Sequence, residues 1–329
     1  MTSSKIDPVD ARLLDVLQKE FPVVSRPFEA IAQSLDAASS EVMSRITALK
    51  ESRIIRQISA IFDSRALGYS SALASFRVCD YRIDDVAQAV SRHSGVTHCY
   101  SRDSDYNLWF TITVGPDKNI SAEVDSLARE LSVDDYLFLP ASRVFKIGVF
   151  FGMSQDSEGM PNRLFSRQHQ AEYQPISESQ IAAVRALQRD IPITDRPFAL
   201  LASEENLTEQ RLLEDAHHFL KTGMMRRFAA VLRHRHAGYG ANAMVCWRVN
   251  EEDIEQVGAI MAENSAVSHC YQRPTNDRWP YSLYTMIHAR SDERIAKIIS
   301  ELCASSGSDD YAMLRTIKEY KKSRVVYFD

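Results

Sequence analysis

The 329-residue sequence predicts an α+β protein built twice on one plan, each copy a winged helix-turn-helix followed by a ferredoxin-like βαββαβ domain. Three observations carry that expectation. Phrases recur at a fixed spacing, helical apolar spacing opens each copy, and strand-like alternation dominates the rest. Arg26-Pro27-Phe28 returns as Arg196-Pro197-Phe198 and Leu67-Gly68-Tyr69 as Ala237-Gly238-Tyr239, both 170 positions later. His98-Cys99-Tyr100-Ser101-Arg102 returns as His269-Cys270-Tyr271-Gln272-Arg273 at 171, and Asp134-Asp135-Tyr136 as Asp309-Asp310-Tyr311 at 175. The step from 171 to 175 places four inserted residues behind Arg273. Two units this long mean a duplicated or fused module, not a solenoid, whose repeats are much shorter.

Each element has its own signal. Leu13, Leu14 and Leu17, then Ile31 and Leu35, then Val42, Ile46 and Leu49 keep helical spacing, and Pro22, Pro27 and the small-residue stretch 37–40 separate three short helices. "ESRIIRQISAIFD" then switches to a strand pattern, which completes the outline of a winged helix-turn-helix. "SALASFRV" alternates as a strand, and "RIDDVAQAVSRH" has acids in its first turn with Val86 and Val90 four apart. "VTHCYSR" and "YNLWFTITV" form an expected strand pair, "AEVDSLARELS" a second helix and "ASRVFKIGVFF" a closing strand. The second copy repeats the order with "ANAMVCWRV", "EDIEQVGAIMAEN", "VSHCYQR", "YSLYTMIHA", "ERIAKIISELCA" and "EYKKSRVVYF". The expected domains are 1–62 and 63–152 in the first copy and 175–231 and 232–329 in the second. Between them, 153–174 is polar and without a period, and its roughly 22 residues reach about 70 Å when extended, enough for the halves to pair face to face.

Composition narrows the function. The chain is 45% hydrophobic and 25% charged, with a formal net charge of -5 and a pI of about 6.0. A protein held on nucleic acid mainly through phosphates is usually basic, so this balance argues against that role. No apolar stretch approaches the ~20 residues of a membrane span. Residues 1–10 show no signal-peptide core, and a cytoplasmic location is expected. The five cysteines (Cys79, Cys99, Cys246, Cys270 and Cys303) contain no C-x-x-C pair and fit a reducing compartment.

The order of domains, with "RIIRQISAIFDSRALGY" at their junction, resembles the Lrp/AsnC family of bacterial regulators. A narrower resemblance rests on "GMMRRFAAVLRHRHAGYGANAMVCWRV", "VSHCYQRP", "WPYSLYTMIHAR" and "DDYAMLRTIKEYKKSRVVYF", which are similar to one subunit of the siroheme decarboxylases. "VTHCYSRDSDYNLWFT" and "LPASRVFKIGVFF" are similar to the partner subunit. The chain thus resembles a natural fusion of the two subunits, of the type found in heme d1 biosynthesis. The resemblance implies a carboxy-lyase that converts siroheme to 12,18-didecarboxysiroheme by removing two acetate carboxyls as carbon dioxide. Closely similar enzymes serve an alternative heme route. No cofactor is implied, because the iron belongs to the substrate. Cys99 stands where Asn is expected in that subunit type, with His98 and Tyr100 in place on either side.

Siroheme carries eight carboxylates and an iron, so its pocket needs cations and an apolar floor. Candidate carboxylate holders are Arg102, Lys146, Arg226, Arg227, Arg233, Arg235, Arg273, Arg278 and Lys321. Tyr106, Trp109, Trp247, Trp279 and Tyr281 are candidates to line the ring faces. Loss of carbon dioxide from a pyrrole acetate leaves charge on a benzylic-type carbon, which a delivered proton quenches. An imidazole with an ordinary pKa near 6.5 donates one close to neutrality, and no redox cofactor is needed. His98 and His269 hold equivalent positions and are the candidate acids for two decarboxylations. His234 is the third candidate, as proton donor or axial ligand to the substrate iron. His93, His217 and His218 fall in expected helices and read as solvated. An ion pair stabilises a carboxylate before it leaves and raises the barrier to its loss. The arginines are therefore expected on the propionates that stay, and the departing acetates beside the histidines.

Two other readings stay open: a regulator that binds DNA and a small metabolite, and a heme or siroheme carrier without turnover. The helices that would read DNA, "ASSEVMSRITALKES" and "TEQRLLEDAHHFLKT", set Glu41, Glu51, Glu209, Glu214 and Asp215 against Arg45, Lys50, Arg211 and Lys221. Neither carries the basic stripe of a DNA reader, so DNA binding is not expected. The halves are expected to pair as an internal pseudo-dimer around siroheme; whether whole chains also form a homodimer stays open.

Overall fold

The computed structural model describes residues 7–19, 21–147, 173, 175–232 and 241–329. The expected linker lies outside the described residues apart from Tyr173 and falls between the two copies. The first copy contains α1 (Pro8–Lys19), α2 (Pro27–Leu35), α3 (Ser39–Glu51), β1 (Ile55–Phe62), β2 (Ser70–Phe76), α4 (Ile83–Arg92), β3 (Val96–Arg102), β4 (Leu108–Val114), α5 (Ile120–Glu130), β5 (Tyr136–Pro140) and β6 (Arg143–Ile147). The second contains α6 (Glu178–Leu187), α7 (Pro197–Glu204), α8 (Glu209–Thr222), β7 (Met225–Leu232), β8 (Ala241–Trp247), α9 (Ile254–Glu263), β9 (Val267–Gln272), β10 (Leu283–Ala289), α10 (Asp292–Ser306) and β11 (Tyr311–Lys322).

Local chemistry sets the helix limits. Pro27 and Pro197 open α2 and α7, where a missing N–H costs nothing because the first-turn donors have no intrahelical partner. Ser177 and Gln180 close a reciprocal capping box on α6. Gly223 and Gly307 end α8 and α10 at φ 77 and 71, a left-handed conformation that glycine adopts without a Cβ clash.

The two copies are interwoven in both layers. β1 pairs antiparallel with its own counterpart β7, with Ser59 opposite Ala229 and Ala60 opposite Phe228. Each expected wing strand therefore binds the other copy, and both helix-turn-helix units share one core that includes Phe21, Phe28, Phe198, Phe219 and Phe228. The remaining nine strands form one sheet in the order β5-β2-β4-β3-β11-β8-β10-β9-β6. Each copy contributes the ferredoxin-like order, β5-β2-β4-β3 and β11-β8-β10-β9, covered on one face by its two helices.

The closing strands correct the sequence reading. Tyr136–Pro140, not "ASRVFKIGVFF", is the fourth strand of the first copy, and Arg143–Ile147 leaves to pair with β9 of the second. β11 does both jobs without a break, since Tyr311–Arg315 pair with β8 and residues from Thr316 to Lys322 pair with β3. Pro140 accounts for the difference: it sits where β11 has Arg315 and has no N–H for the ladder. The outer strands of the sheet are β5 and β6, separated in the chain by Ala141 and Ser142, so the sheet curls until its edges meet. The enclosed face holds Tyr106, Trp109, Leu137, Leu139, Met244, Cys246, Trp279, Tyr284 and Leu314.

The exchanged strands are anchored on the other copy's helices. Phe145 of β6 rests on Gly258 of α9, where a Cβ would come within 2.5 Å of its ring. Tyr320, its counterpart in β11, donates to Asp84 at the start of α4. The second closing strand ends at Lys322, earlier than "EYKKSRVVYF" implies, and Tyr327 beyond it packs on Phe62 and Tyr69 in the helix-turn-helix core. Among the described residues no helix is long and apolar enough to cross a membrane.

Candidate active site

The repeated phrase His-Cys-Tyr-x-Arg is a strand alternation. Cys99 Sγ faces the Ala87 carbonyl of α4 at 3.9 Å, and Cys270 Sγ faces the Gly258 carbonyl of α9 at 3.7 Å. Residues on either side of these cysteines point to the opposite face, so His98, Tyr100 and Arg102 on β3, and His269 and Tyr271 on β9 with Arg273 just beyond its end, turn into the curl of the sheet. The histidine and tyrosine rings of each strand lie 6.2 and 6.0 Å apart. Arg102 covers the Tyr100 ring at 5.4 Å, and Arg273 covers Tyr271 at 5.0 Å.

Each histidine is held on one side by the hydroxyl before it in the chain. His98 Nδ1 lies 3.0 Å from Thr97 Oγ1, and His269 Nδ1 lies 2.8 Å from Ser268 Oγ. Burial pushes both imidazoles down to a pKa of about 4, helped at His98 by Lys322, His269 and Arg56, and at His269 by Arg226, Lys146 and Arg273. The expectation of an ordinary histidine pKa is thus corrected. Both rings are thereby held neutral at neutral pH, because a buried cation beside other cations is disfavoured.

The cations come from both layers. Arg56 of β1 and Arg226 of β7 occupy equivalent positions 170 residues apart, and each acts on the histidine of its own copy. Arg227 and Arg324 are each depressed to about 10, first by burial and then by neighbouring guanidinium groups, Arg324 acting on Arg227 and Arg56 on Arg324. Against them stand Asp63, which pairs with Arg226 at 2.8 Å, and Glu319, which is exposed across from Tyr100. A space with this excess of buried positive charge suits a polyanion.

The remaining sequence-derived candidates have other surroundings. Lys146 and Lys321 lie across the ladder from Cys270 and Cys99, on the helix face. Lys146 Nζ donates to the Asn264 carbonyl at 2.8 Å, and Lys321 Nζ to Ser91 and His93 carbonyls at 2.8 and 3.1 Å. Both lysines cap helix C-termini, which corrects their reading as propionate holders. Arg102 reaches the Leu314 carbonyl and Thr316 Oγ1 at 3.1 and 3.2 Å, and Arg273 reaches the equivalent Leu139 carbonyl, so both arginines brace the curled sheet beneath the tyrosines. Trp247 is buried on the helix side with its Nε1 on Thr285 Oγ1 at 2.9 Å, which removes it from the candidates for a ring wall.

Trp109, Tyr106, Trp279 and Tyr281 form one aromatic plug, with Trp109 and Trp279 centroids 5.5 Å apart and Trp279 and Tyr281 5.0 Å apart. The segment behind Arg273 that carries the insertion brings Trp279 to this plug. Arg278 is exposed and pairs with Asp135 at 2.6 Å. His93 is not solvated as expected but bonds Glu123 at 3.1 Å, whereas His217 and His218 are exposed. Arg233, His234 and Arg235 lie outside the described residues. A separate cavity of about 530 Å³, lined by Gln57, Gln188, Arg189 and Tyr327, touches this region through Arg324 but contains neither His98 nor His269.

Arg56, Lys322, Arg324, Thr97 and Ser268 are the site residues that sequence reasoning missed. The 170-residue repeat could have flagged Arg56 as the partner of Arg226, and the strand register distinguishes Lys322, opposite His98, from Lys321.

Residues 66–146 and 236–321 match the AsnC-like ligand binding domain, and residues 10–56 and 180–226 match the siroheme decarboxylase NirDL-like HTH domain. Fold and site therefore define a doubled helix-turn-helix and ligand-binding protein whose two halves build one central space. The siroheme decarboxylase of Hydrogenobacter thermophilus is 37% identical over 320 residues, covering 96% of this chain and 94% of that protein. The siroheme decarboxylase NirDL subunit of Paracoccus denitrificans is 32% identical over 90% of this chain and 89% of its own length. The crystal structure of the siroheme decarboxylase NirDL in co-complex with an iron-uroporphyrin III analogue superposes with a TM-score of 0.77 at 33% identity, over 98% of this chain and 95% of that one. The chain belongs to the siroheme decarboxylase family, in its fused two-subunit form.

Proposed function

We propose that this chain converts siroheme to 12,18-didecarboxysiroheme, releasing two acetate carboxyls as carbon dioxide, on a route to heme d1. The observation that carries the reading is the pair of equivalent histidines facing one cationic space built by both halves. Family membership and the iron-uroporphyrin analogue in a related structure support it. Arg56, Arg226, Arg227, Lys322 and Arg324 are the groups placed to hold propionates. The aromatic plug sits two ladder rows beyond His98, on the same face, with Trp109 opposite Tyr100.

The reaction needs a proton at each site. The carboxyl carbon departs as carbon dioxide, and the electron pair stays on the methylene carbon and spreads into the macrocycle. A proton from His98 or His269 then closes the carbon as a methyl group. The imidazoles must acquire that proton first, and the substrate supplies the reason. Carboxylates entering the space replace like-charge neighbours with opposite charge and raise both pKa values toward neutrality. Each decarboxylation consumes one proton, which the histidine regains from solvent or from a protonated acetate.

A DNA-reading role gains no support from the motif helices. Arg45 is tied to Asp7, Asp10 and Glu41 at 2.9–3.0 Å, and Arg211 to Asp215 at 2.8 Å. Anaerobic incubation of the chain with siroheme, followed by mass analysis of the tetrapyrrole, tests the proposal. Loss of two carbon dioxide units is expected for the native chain, and a product lacking one is expected for His98→Gln or His269→Gln. Tight binding with no mass change would replace the enzyme with a carrier.

A further inference from the structure

We propose that Thr97 and Ser268 are positioning residues that fix the tautomer of His98 and His269, so that Nε2 of each neutral ring presents its lone pair to the central space. The inference deepens the reading of these histidines as proton carriers and rests on it for its catalytic consequence, though not for its structural core.

A hydroxyl has one hydrogen to give. Ser268 Oγ gives it to the Met286 carbonyl at 3.1 Å, since a carbonyl can only accept. With the hydrogen given to that carbonyl, what Ser268 Oγ turns toward His269 Nδ1, 2.8 Å away, is a lone pair, which selects the tautomer with its hydrogen on Nδ1. The first copy repeats the arrangement: Thr97 Oγ1 lies 3.5 Å from the Thr111 carbonyl and 3.0 Å from His98 Nδ1. Thr111 and Met286 are ladder partners of the two histidines on the neighbouring strand. The two copies thus share the same partners with different side chains, threonine in one and serine in the other, the carbonyl contact being longer in the first. Among the described residues neither Nε2 has a hydrogen-bond partner.

The arrangement decides which nitrogen works. A ring locked as Nδ1–H takes up its second proton on Nε2, the atom nearer the substrate, and returns it from there. A ring free to flip would spend part of its time with Nε2 already protonated, unable to collect a proton from the departing acid. The charged or titratable groups acting on these rings are Lys322, His269 and Arg56 at His98, and Arg226 and Arg273 at His269, with Lys146 acting from the opposite, helix face of the sheet.

Nitrogen-15 NMR of the substrate-free chain labelled at histidine tests the core of the idea without any turnover, because protonated and unprotonated ring nitrogens resonate far apart. His98→Gln and His269→Gln assign the two signals. Both native rings are expected as Nδ1–H at neutral pH. Thr97→Val and Ser268→Ala should each give a mixed tautomer at their own histidine only, while Thr97→Ser and Ser268→Thr keep the native pattern. A native Nε2–H signal, or a Thr97→Val signal identical to the native one, would overturn the proposal even if the chain decarboxylates siroheme. In turnover, the two hydroxyl-free variants should lose about ten-fold in kcat with KM unchanged and shift the acid limb of the pH profile, and the conservative pair should restore both. A loss confined to KM would assign the hydroxyls to substrate binding instead.

Discussion

At the scale of single residues, the two histidines draw their chemistry from burial and neighbouring positive charge. Their folded pKa of about 4 lies below the ordinary value near 6.5, so the unfolded chain binds more protons between these values. The stability tied to the neutral rings is present above about pH 6.5 and is lost as the pH falls toward 4. Urea unfolding of the native chain should show its midpoint dropping between pH 7 and pH 5, with a shallower drop in a His98→Gln/His269→Gln double variant; equal slopes would mean that the rings are not held neutral. A bound polycarboxylate should flatten the native slope, because it removes the reason for the depression. Little of this was legible in the sequence. The phrase containing His98 and His269 is conspicuous, but most of the cations that depress them arrive from β1, β6, β7 and β11.

At the scale of elements, register determines which side chain of a strand serves which purpose. Lys321 and Lys322 are adjacent in β11, yet one lies across from Cys99 on the helix face and the other across from His98. A one-residue slip would exchange their roles. Lys321→Met should cost about 1–2 kcal/mol in urea unfolding through the lost charge-assisted bonds to the end of α4, with KM for siroheme unchanged. Lys322→Met should leave stability near native and raise KM about ten-fold, equivalent to about 1.4 kcal/mol. The opposite pattern would show that the register places these side chains differently from the ladder described here. The same logic explains the closing strands: apolar alternation marks "YLFLP" and "RVFKI" as extended, but the sheet that each joins depends on where Pro140 interrupts the ladder.

At the scale of the whole molecule, strand exchange makes the two halves one body. β6 completes the second half's sheet, β11 reaches into the first, and β1 pairs with β7 between the helix-turn-helix units. Each half alone would expose an open sheet edge and part of an apolar core. If the two halves are produced as separate chains divided within 153–174, they should assemble one-to-one when co-expressed and recover siroheme turnover, whereas each alone should aggregate or self-pair without activity. Gel filtration with light scattering distinguishes these results, and two stable inactive monomers would contradict the interwoven architecture.

The sequence by itself determined the duplication and, apart from the closing strands, the order of helices and strands, and it singled out the two histidines as equivalent, because these are carried by repeated phrases and by the 3.6- and 2-residue periods of local structure. It also marked Arg226 and Arg227, which lie on the strand that crosses between the halves. Only the tertiary structure decided that Lys146 and Lys321 cap helices, that Trp247 is core, and that Arg102 and Arg273 brace the sheet. It also joined Arg56 and Lys322 to His98, and Arg324 to Arg56. The reason is physical: a periodic pattern fixes which residues share a face within a strand, while the partner opposite that face, and the field it creates, depend on pairings between segments up to about 270 residues apart, such as Arg56 with the Lys322 carbonyl.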